Sequence, residues 1–196
     1  ISPRAAGQLL SGHHRLHMDG KPVHHHSGVS CYAEYAVVDR GSVVVIDRSL
    51  PLDVAALFGC AVVTGVGAVV NTGQIEPGSS VAIVGLGGVG LSGLMGAVLA
   101  GAGRIVAIDL SDEKLGLARQ LGATDTVNAK DADHVTQVRD LTNGGVDYAF
   151  DLAGTIKAME TAYLVTRWGG TTVTAGLSPI SADFSSSCML QPAGRN

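Results

Sequence analysis

Residues 81–90 read Val81-Ala-Ile-Val-Gly85-Leu86-Gly87-Gly88-Val89-Gly90 and lead from an apolar β-like segment into an apolar helical one. A GxGxxG turn becomes informative in this setting. Gly85 permits the sharp turn, Gly87 lets another group come close to the backbone, and Gly90 lets the helix pack against the strand. Free N–H groups then meet the positive end of a helix dipole, so the turn predicts a site for a diphosphate.

An acidic residue ends the next β-like segment. Residues 104–109 read Arg-Ile-Val-Ala-Ile-Asp, and Asp109 lies 19 residues after Gly90. A carboxylate at this distance accepts both hydroxyls of an adenosine ribose and repels a 2′-phosphate, so the pair predicts NAD rather than NADP. An ordinary glycine-rich turn is the weaker alternative. The predicted cofactor-binding residues of this region are Gly85, Leu86, Gly87, Gly88, Val89, Gly90, Asp109 and Lys114, whose amine is placed to reach the ribose edge.

Strand and helix patterns alternate from residue 81 onward. The β-like segments are residues 81–84, 104–110, 125–127, 146–152 and 171–175, with helical patterns between them. Such alternation predicts an α/β fold of the doubly wound Rossmann type, a parallel sheet with helices on both faces. Five strands are visible where the full fold has six, so we expect the sixth beyond residue 196.

The first 60 residues have a different character. A loop-like region at 12–28, rich in Gly, His and Pro, precedes two β-like runs at 32–38 and 42–46. Helical patterns follow at 53–59 and 61–72. We therefore predict a remnant of a β-rich domain at residues 1–60 and a dinucleotide-binding domain, incomplete at its C-terminus, at residues 61–196.

Composition excludes several classes of function. A formal charge of −4, without a basic cluster, argues against a nucleic-acid partner. Residues 81–103 carry no charge, but eight of them are glycine, so a strand, turn and buried helix explain the run better than a membrane span. Three distant cysteines and no signal-peptide pattern indicate a reduced, cytoplasmic protein.

Long stretches of the chain resemble the zinc-containing alcohol dehydrogenase family of the medium-chain dehydrogenase/reductase superfamily. They include Gly59-Cys60-Ala-Val-Val-Thr64-Gly65-Val-Gly67, the turn with its flanks, Phe150-Asp-Leu-Ala-Gly154, and Thr172-Val-Thr-Ala-Gly-Leu177. Gly20-Lys-Pro-Val-His-His25 and Tyr32-Ala-Glu-Tyr-Ala-Val-Val38 are similar to the segment that precedes them in the family. The resemblance implies a central fragment, in which the N-terminal remnant belongs to a GroES-like catalytic domain.

The resemblance also implies roles for particular residues. Cys60 would be one of three protein ligands of a catalytic zinc, and Thr64, with Val89, would flank the nicotinamide. The nicotinamide half of the cofactor would be held by Leu152, Ala175, Gly176 and Leu177. The family oxidises a small alcohol to an aldehyde or ketone by hydride transfer to NAD, and it suggests a homodimer.

Other family features have no counterpart in this chain. These are the remaining catalytic zinc ligands, the proton relay and the structural zinc lobe, so a truncated NAD-binding module without turnover is the alternative function. A zinc-free quinone-type reductase is a weaker one, because it has no use for Cys60. We interpret the histidines as solvated loop residues (His13, His14, His17, His24, His25, His26) and the remaining cysteines, Cys31 and Cys188, as buried or half-buried free thiols.

Overall fold

The computed structural model describes residues 6–177, and the chain divides after Pro51 into two compact units. In the first unit, strand β1 (Leu16–Met18) pairs antiparallel with strand β2 (Lys21–Val23). The two residues between them, Asp19 and Gly20, have φ angles of 50° and 74°. Positive φ at both positions of a two-residue loop matches the twist of a hairpin, and Asp-Gly is a favoured pair there. The hairpin therefore lies within the region that the sequence assigned to a loop.

The two β-like runs at 32–38 and 42–46 are not strands, so this prediction was wrong. Within the described residues the unit has only the β1–β2 pair and two short 3₁₀ helices, His26–Gly28 and Arg40–Ser42. Tyr32, Tyr35 and Val45 are almost fully exposed. A β-prone sequence becomes a strand only where a second strand accepts its hydrogen bonds, and these runs find none among the described residues.

The second unit begins with a helical segment, Leu52–Gly73, built from alternating α and π turns. It comprises α1 (Leu52–Leu57), a π turn (Phe58–Val62), α2 (Val63–Gly67) and a second π turn (Ala68–Gly73). By length and composition alone this segment could cross a membrane, with a mean hydropathy of 2.0. A core helix of a soluble protein passes the same test. The sequence-based boundary after residue 60 falls inside this segment.

A five-stranded parallel sheet follows, as the sequence predicted. Its strands are β3 (Ser80–Val84), β4 (Arg104–Asp109), β5 (Asp125–Asn128), β6 (Val146–Asp151) and β7 (Thr166–Thr174), in the order β5-β4-β3-β6-β7. The helices between them are α3 (Gly88–Leu99), α4 (Asp112–Gln120), α5 (His134–Leu141) and α6 (Ile156–Val165). The chain runs outward from β3 in one direction and from β6 in the other. A crevice is therefore expected at the carboxyl ends of these two strands, where the order reverses.

Alternate residues of the central strands bury opposite faces of the sheet. Val81 and Ile83 belong to one core cluster with Leu94 of α3, whereas Ala82 and Val84 belong to another. The second cluster also contains residues of the later helices, Val138 of α5 and Ala162 of α6. Each fully buried Val, Ile or Leu contributes roughly 1.5–3 kcal/mol of transfer free energy. Both faces of the sheet are covered, which confirms the doubly wound fold.

At the amino end of the sheet, one carboxylate joins three strands. Asp147 of β6 accepts hydrogen bonds at Oδ2 from the backbone N and the Oγ of Ser80, both at 2.7 Å. Its Oδ1 accepts one from Arg167 Nε at 2.6 Å. The Ser80 backbone N–H has the largest influence on the pKa of Asp147 and burial the second largest. With the Ser80 hydroxyl and Arg167, the hydrogen bonds outweigh burial and hold that pKa below its ordinary value.

Replacing this carboxylate should lower stability in a pH-dependent way. We expect Asp147→Asn to reduce the free energy of unfolding by about 1–2 kcal/mol at pH 7, because a charge-assisted contact and a backbone acceptor are weakened. Since the folded pKa is depressed, the stabilisation is present above the unfolded pKa of about 3.9 and is lost as pH falls through the folded value. Urea titrations between pH 7 and pH 3 should show the two proteins converging. The control is Asp131→Asn at an exposed carboxylate, expected to change stability by less than about 0.5 kcal/mol; a difference that ignored pH would contradict the prediction.

Candidate functional site

The glycine turn connects β3 to α3 at the carboxyl edge of the sheet. Gly85 has φ +89°, and its N–H donates to the Ile108 carbonyl at 2.8 Å, which fixes the turn against β4. Gly87 is the N-cap of α3, and it provides no side chain to bind the first N–H groups of the helix. A Cβ built on Gly87 would meet no atom within 4 Å. The turn thus offers backbone donors and open space in front of them, which fits a diphosphate.

Gly90 has a different role from Gly87, because it lies where α3 crosses the turn. A Cβ at Gly90 would be 1.7 Å from the Gly85 carbonyl oxygen and 2.8 Å from its carbon. No backbone carbonyl tolerates a carbon at that distance, so only glycine lets the helix begin this close to the strand. The close approach that the sequence suggested for Gly90 is present in the structure, whereas the role of Gly87 toward a diphosphate stays a prediction.

Asp109 at the end of β4 is hydrogen-bonded to the glycine turn. Its Oδ2 accepts a hydrogen bond from Leu86 N at 2.7 Å, and its Oδ1 accepts one from Ser111 N at 2.9 Å. A carboxylate has about four acceptor positions, so each oxygen keeps capacity for a ribose hydroxyl. The two parts of the predicted cofactor site, the turn and the acid, are therefore in direct contact.

A groove of about 840 Å³ opens at the carboxyl ends of β3, β4 and β6. Gly85, Asp109 and Lys114 from the predicted set line it. Sequence analysis missed other residues of its wall, which are Lys130, His134, Thr155 and Lys157. They follow β5 and β6 closely in the chain, so the rule that ligands bind at the carboxyl ends of parallel strands was the signal that could have found them. A mainly apolar groove with polar groups at its wall suits an adenosine.

The residues predicted for the nicotinamide half lie at the ends of β6 and β7. Leu152 is buried in the core cluster that includes α3. Ala175 and Gly176 donate their N–H groups to the Asp151 carbonyl, at 3.0 and 3.2 Å, so the loop after β7 is fixed to the end of β6. Leu177 is 93% exposed. These segments are adjacent to each other although more than 20 residues separate them in sequence.

The helical segment that carries Cys60 and Thr64 packs closely against α3. A Cβ on Gly65 would be 2.2 Å from the Val89 carbonyl oxygen and 2.7 Å from Gly93 N. The glycine Gly96 of α3 makes a second close approach to this segment, since a Cβ on it would lie 3.2 Å from Val66 Cα. Glycines at the contact let the two backbones come together. The segment therefore lies directly beside the first turns of α3, with Thr64 next to the residue that touches Val89.

More than half of this chain matches a known protein family. Residues 88–192, just over half of the chain, match a family model described as zinc-binding dehydrogenase. The chain belongs to the zinc-binding dehydrogenase family. The family match begins at Gly88, the first residue of α3, and includes β4, which carries Asp109, and β6, which Leu152 follows.

Solved structures support membership of the zinc-binding dehydrogenase family. A benzyl alcohol dehydrogenase from Acinetobacter calcoaceticus is 31% identical, with a TM-score of 0.81 over 94% of this chain and 50% of that one. An alcohol dehydrogenase zinc-binding domain protein from Burkholderia ambifaria is 35% identical, with a TM-score of 0.79 over 87% and 47%. A Thermus alcohol dehydrogenase is 33% identical, with a TM-score of 0.64 over 70% and 40%. This chain spans about half the length of these proteins or less.

A zinc ion, which the family implies, is a poor fit to the described residues alone. Cys60 lies in the π turn Phe58–Val62, and its thiol is exposed and free. Within residues 6–177, however, no three His, Cys, Asp or Glu side chains are grouped so as to hold a metal. A catalytic zinc takes three protein ligands, so Cys60 could supply one of them at most.

Two expectations about the remaining histidines and cysteines were wrong. His25 is not a solvated loop residue, because it is only 4% exposed and its Nε2 accepts a hydrogen bond from Arg15 N at 3.1 Å. The ring of His14 contacts those of His24 and His25, at centroid distances of 5.3 and 6.4 Å. Cys31 is exposed rather than buried, and Cys188 lies outside the described residues.

Proposed function

We propose that this chain is the coenzyme-binding part of an NAD-dependent, zinc-dependent alcohol dehydrogenase. The observation that carries the proposal is the glycine turn whose Leu86 N–H is bound to Asp109. The reaction of the intact enzyme would convert a small alcohol to an aldehyde or ketone, with the hydride passing to the nicotinamide. Because the chain spans about half of its structural relatives, activity, the homodimer and a cytoplasmic location all belong to this proposal.

Each half of the site would bind a different part of NAD. The N–H groups of the first turn of α3, which begins at Gly88, would hold the diphosphate. Asp109 would accept the adenosine ribose hydroxyls, with Lys114 at the edge of the ribose. The adenosine would lie in the groove toward Lys130 and His134. Thr64, Val89, Leu152, Ala175, Gly176 and Leu177 would surround the nicotinamide, which accepts the hydride when bound.

The second candidate is an NAD-binding module without turnover. It is favoured by one observation, the isolation of Cys60 from other metal-binding side chains among residues 6–177. The two candidates differ in mass, zinc content and alcohol-dependent formation of NADH by the purified protein. A 19.9 kDa protein without zinc or turnover would leave only the binding module, whereas one zinc per chain with NADH formation would establish the dehydrogenase.

Both candidates require NAD binding, which a single glycine tests. We expect Gly87→Ala to weaken NAD⁺ binding at least about 10-fold by calorimetry, since a methyl group would fill the space in front of the N–H groups. The free energy of unfolding should change little, because a Cβ on Gly87 would meet no protein atom within 4 Å. The matched control is Gly116→Ala in α4, where a Cβ also meets nothing within 4 Å; NAD⁺ affinity should not change there. If the Gly87→Ala protein bound NAD⁺ as tightly as the parent, the glycine turn would not be the diphosphate site.

A further inference from the structure

The described residues contain a fully buried carboxylate that the proposed function does not use. Asp151 is the last residue of β6 and is 0% exposed. Burying an ionisable group is costly unless hydrogen bonds satisfy it. Such a group at the carboxyl end of a central strand, in the crevice where the strand order reverses, therefore needs a physical reason.

The Asp151 side chain binds the loops that follow two different strands. Its Oδ1 accepts hydrogen bonds from Ala153 N at 3.1 Å and Gly154 N at 3.4 Å, both in the loop after β6. Its Oδ2 accepts one from the Thr174 hydroxyl at 2.8 Å, at the end of β7. Because each loop is attached to a different carboxylate oxygen, the side chain sets the spacing between them.

The backbone of Asp151 reinforces the same connection. Its carbonyl accepts the N–H groups of Ala175 and Gly176. The two loops then approach so closely that a Cβ on Gly176 would lie 2.3 Å from Gly154 N and 3.0 Å from Asp151 Oδ2. Ala175 and Leu177 flank Gly176, and Leu152 lies two residues before Gly154; all three are assigned above to the nicotinamide half of the cofactor.

We propose that Asp151 is a positioning residue for the nicotinamide subsite, which it shapes by holding the loops after β6 and β7 at a fixed separation. This inference rests on the proposed NAD-binding function. Asp151 makes no hydrogen bond to the glycine turn or to Asp109. Ala153, in one of the loops that it holds, does lie against Gly85 and lines the adenosine groove. Both loops meet at the nicotinamide subsite, however, so we expect the main effect of Asp151 on the nicotinamide half of NAD and a smaller one on the ADP-ribose half.

The test compares two ligands that differ only by the nicotinamide. For Asp151→Asn we expect NAD⁺ affinity to fall about 10-fold by calorimetry, because the charge that strengthens three hydrogen bonds is removed. Affinity for ADP-ribose should stay within about 2-fold of the parent. The fluorescence enhancement of bound NADH, which reports the surroundings of the nicotinamide ring, should fall in parallel.

A milder variant and a matched control complete the experiment. Thr174→Val removes a single hydroxyl donor at constant shape, so it should weaken NAD⁺ about 3-fold and leave ADP-ribose unchanged, even if Asp151→Asn fails to fold. Asp147→Asn, at the opposite end of the same strand, should lower stability while changing neither affinity. If each variant lost as much affinity for ADP-ribose as for NAD⁺, the inference would be overturned. It would also be overturned if neither variant changed the affinity for either ligand. A parent protein that binds NAD⁺ and ADP-ribose equally would overturn it too. If the parent bound neither ligand, the proposed function itself would fail.

Discussion

Gly90→Ala is expected to destabilise the coenzyme-binding unit by about 3 kcal/mol or more, at the upper end of the usual cost of overpacking. The added methyl carbon would occupy a point 1.7 Å from the Gly85 carbonyl oxygen, and both partners are backbone atoms. Relief requires α3 to move away from β3, which disrupts the core cluster that includes Ile83 and Leu94. Urea unfolding followed by circular dichroism would measure the loss.

The control for this prediction lies two residues earlier in the same turn. A Cβ on Gly88 would be 3.5 Å from Ala61 Cβ, an ordinary van der Waals contact. Gly88→Ala should therefore change the free energy of unfolding by less than about 1 kcal/mol. If the Gly90→Ala protein unfolded within about 1 kcal/mol of the parent, the close approach of helix and turn would not be the reason for this glycine.

Asp109→Asn is expected to reduce the preference for NAD over NADP at least about 10-fold. Removing the charge weakens the ribose hydrogen bonds of NAD and lifts the repulsion of a 2′-phosphate, so the two affinities change in opposite directions. The asparagine oxygen can still accept the Leu86 N–H, which keeps the turn in place. Calorimetric titration with both cofactors gives the ratio directly.

A control at a neighbouring acid distinguishes the contact of Asp109 with the ribose from a general effect of net charge. Asp112 also lines the groove, and its Oδ1 accepts a hydrogen bond from Asn128 at 2.7 Å. Asp112→Asn alters the net charge equally but should leave the cofactor ratio nearly unchanged. A ratio that stayed constant in Asp109→Asn would remove the ribose assignment, whereas weaker NAD⁺ binding alone would not decide the matter.

The sheet could be predicted from sequence because its signals are local. Runs such as residues 81–84 and 104–109 are apolar on both faces, as buried parallel strands are, and glycines mark the turn that leads into the helix between them. The turn and Asp109 were recognisable for the same reason, since their spacing is fixed by one strand-helix-strand unit. The first unit was harder: its β-prone runs lack partners, and its hairpin depends on an Asp19-Gly20 pair inside a histidine-rich stretch.

The parts of the site that sequence analysis missed depend on segments far apart in the chain. Lys130, His134 and Lys157 reach one groove only because β5 and β6 end at the same edge of the sheet. Asp151 looked like any acid at the end of a strand until its contacts with Thr174 were seen. Hydrogen bonds over such separations follow from tertiary packing, which no local pattern encodes.

The glycine contact between the Cys60–Thr64 segment and α3 has a mechanical consequence. With Gly65 against the Val89 carbonyl and Gly96 against Val66, neither helix can slide or rotate without a collision of main-chain atoms. We therefore expect the Cys60–Thr64 segment and α3 to behave as one rigid block. In such a block the position of the Cys60 π turn relative to the glycine turn is set by main-chain packing rather than by side chains.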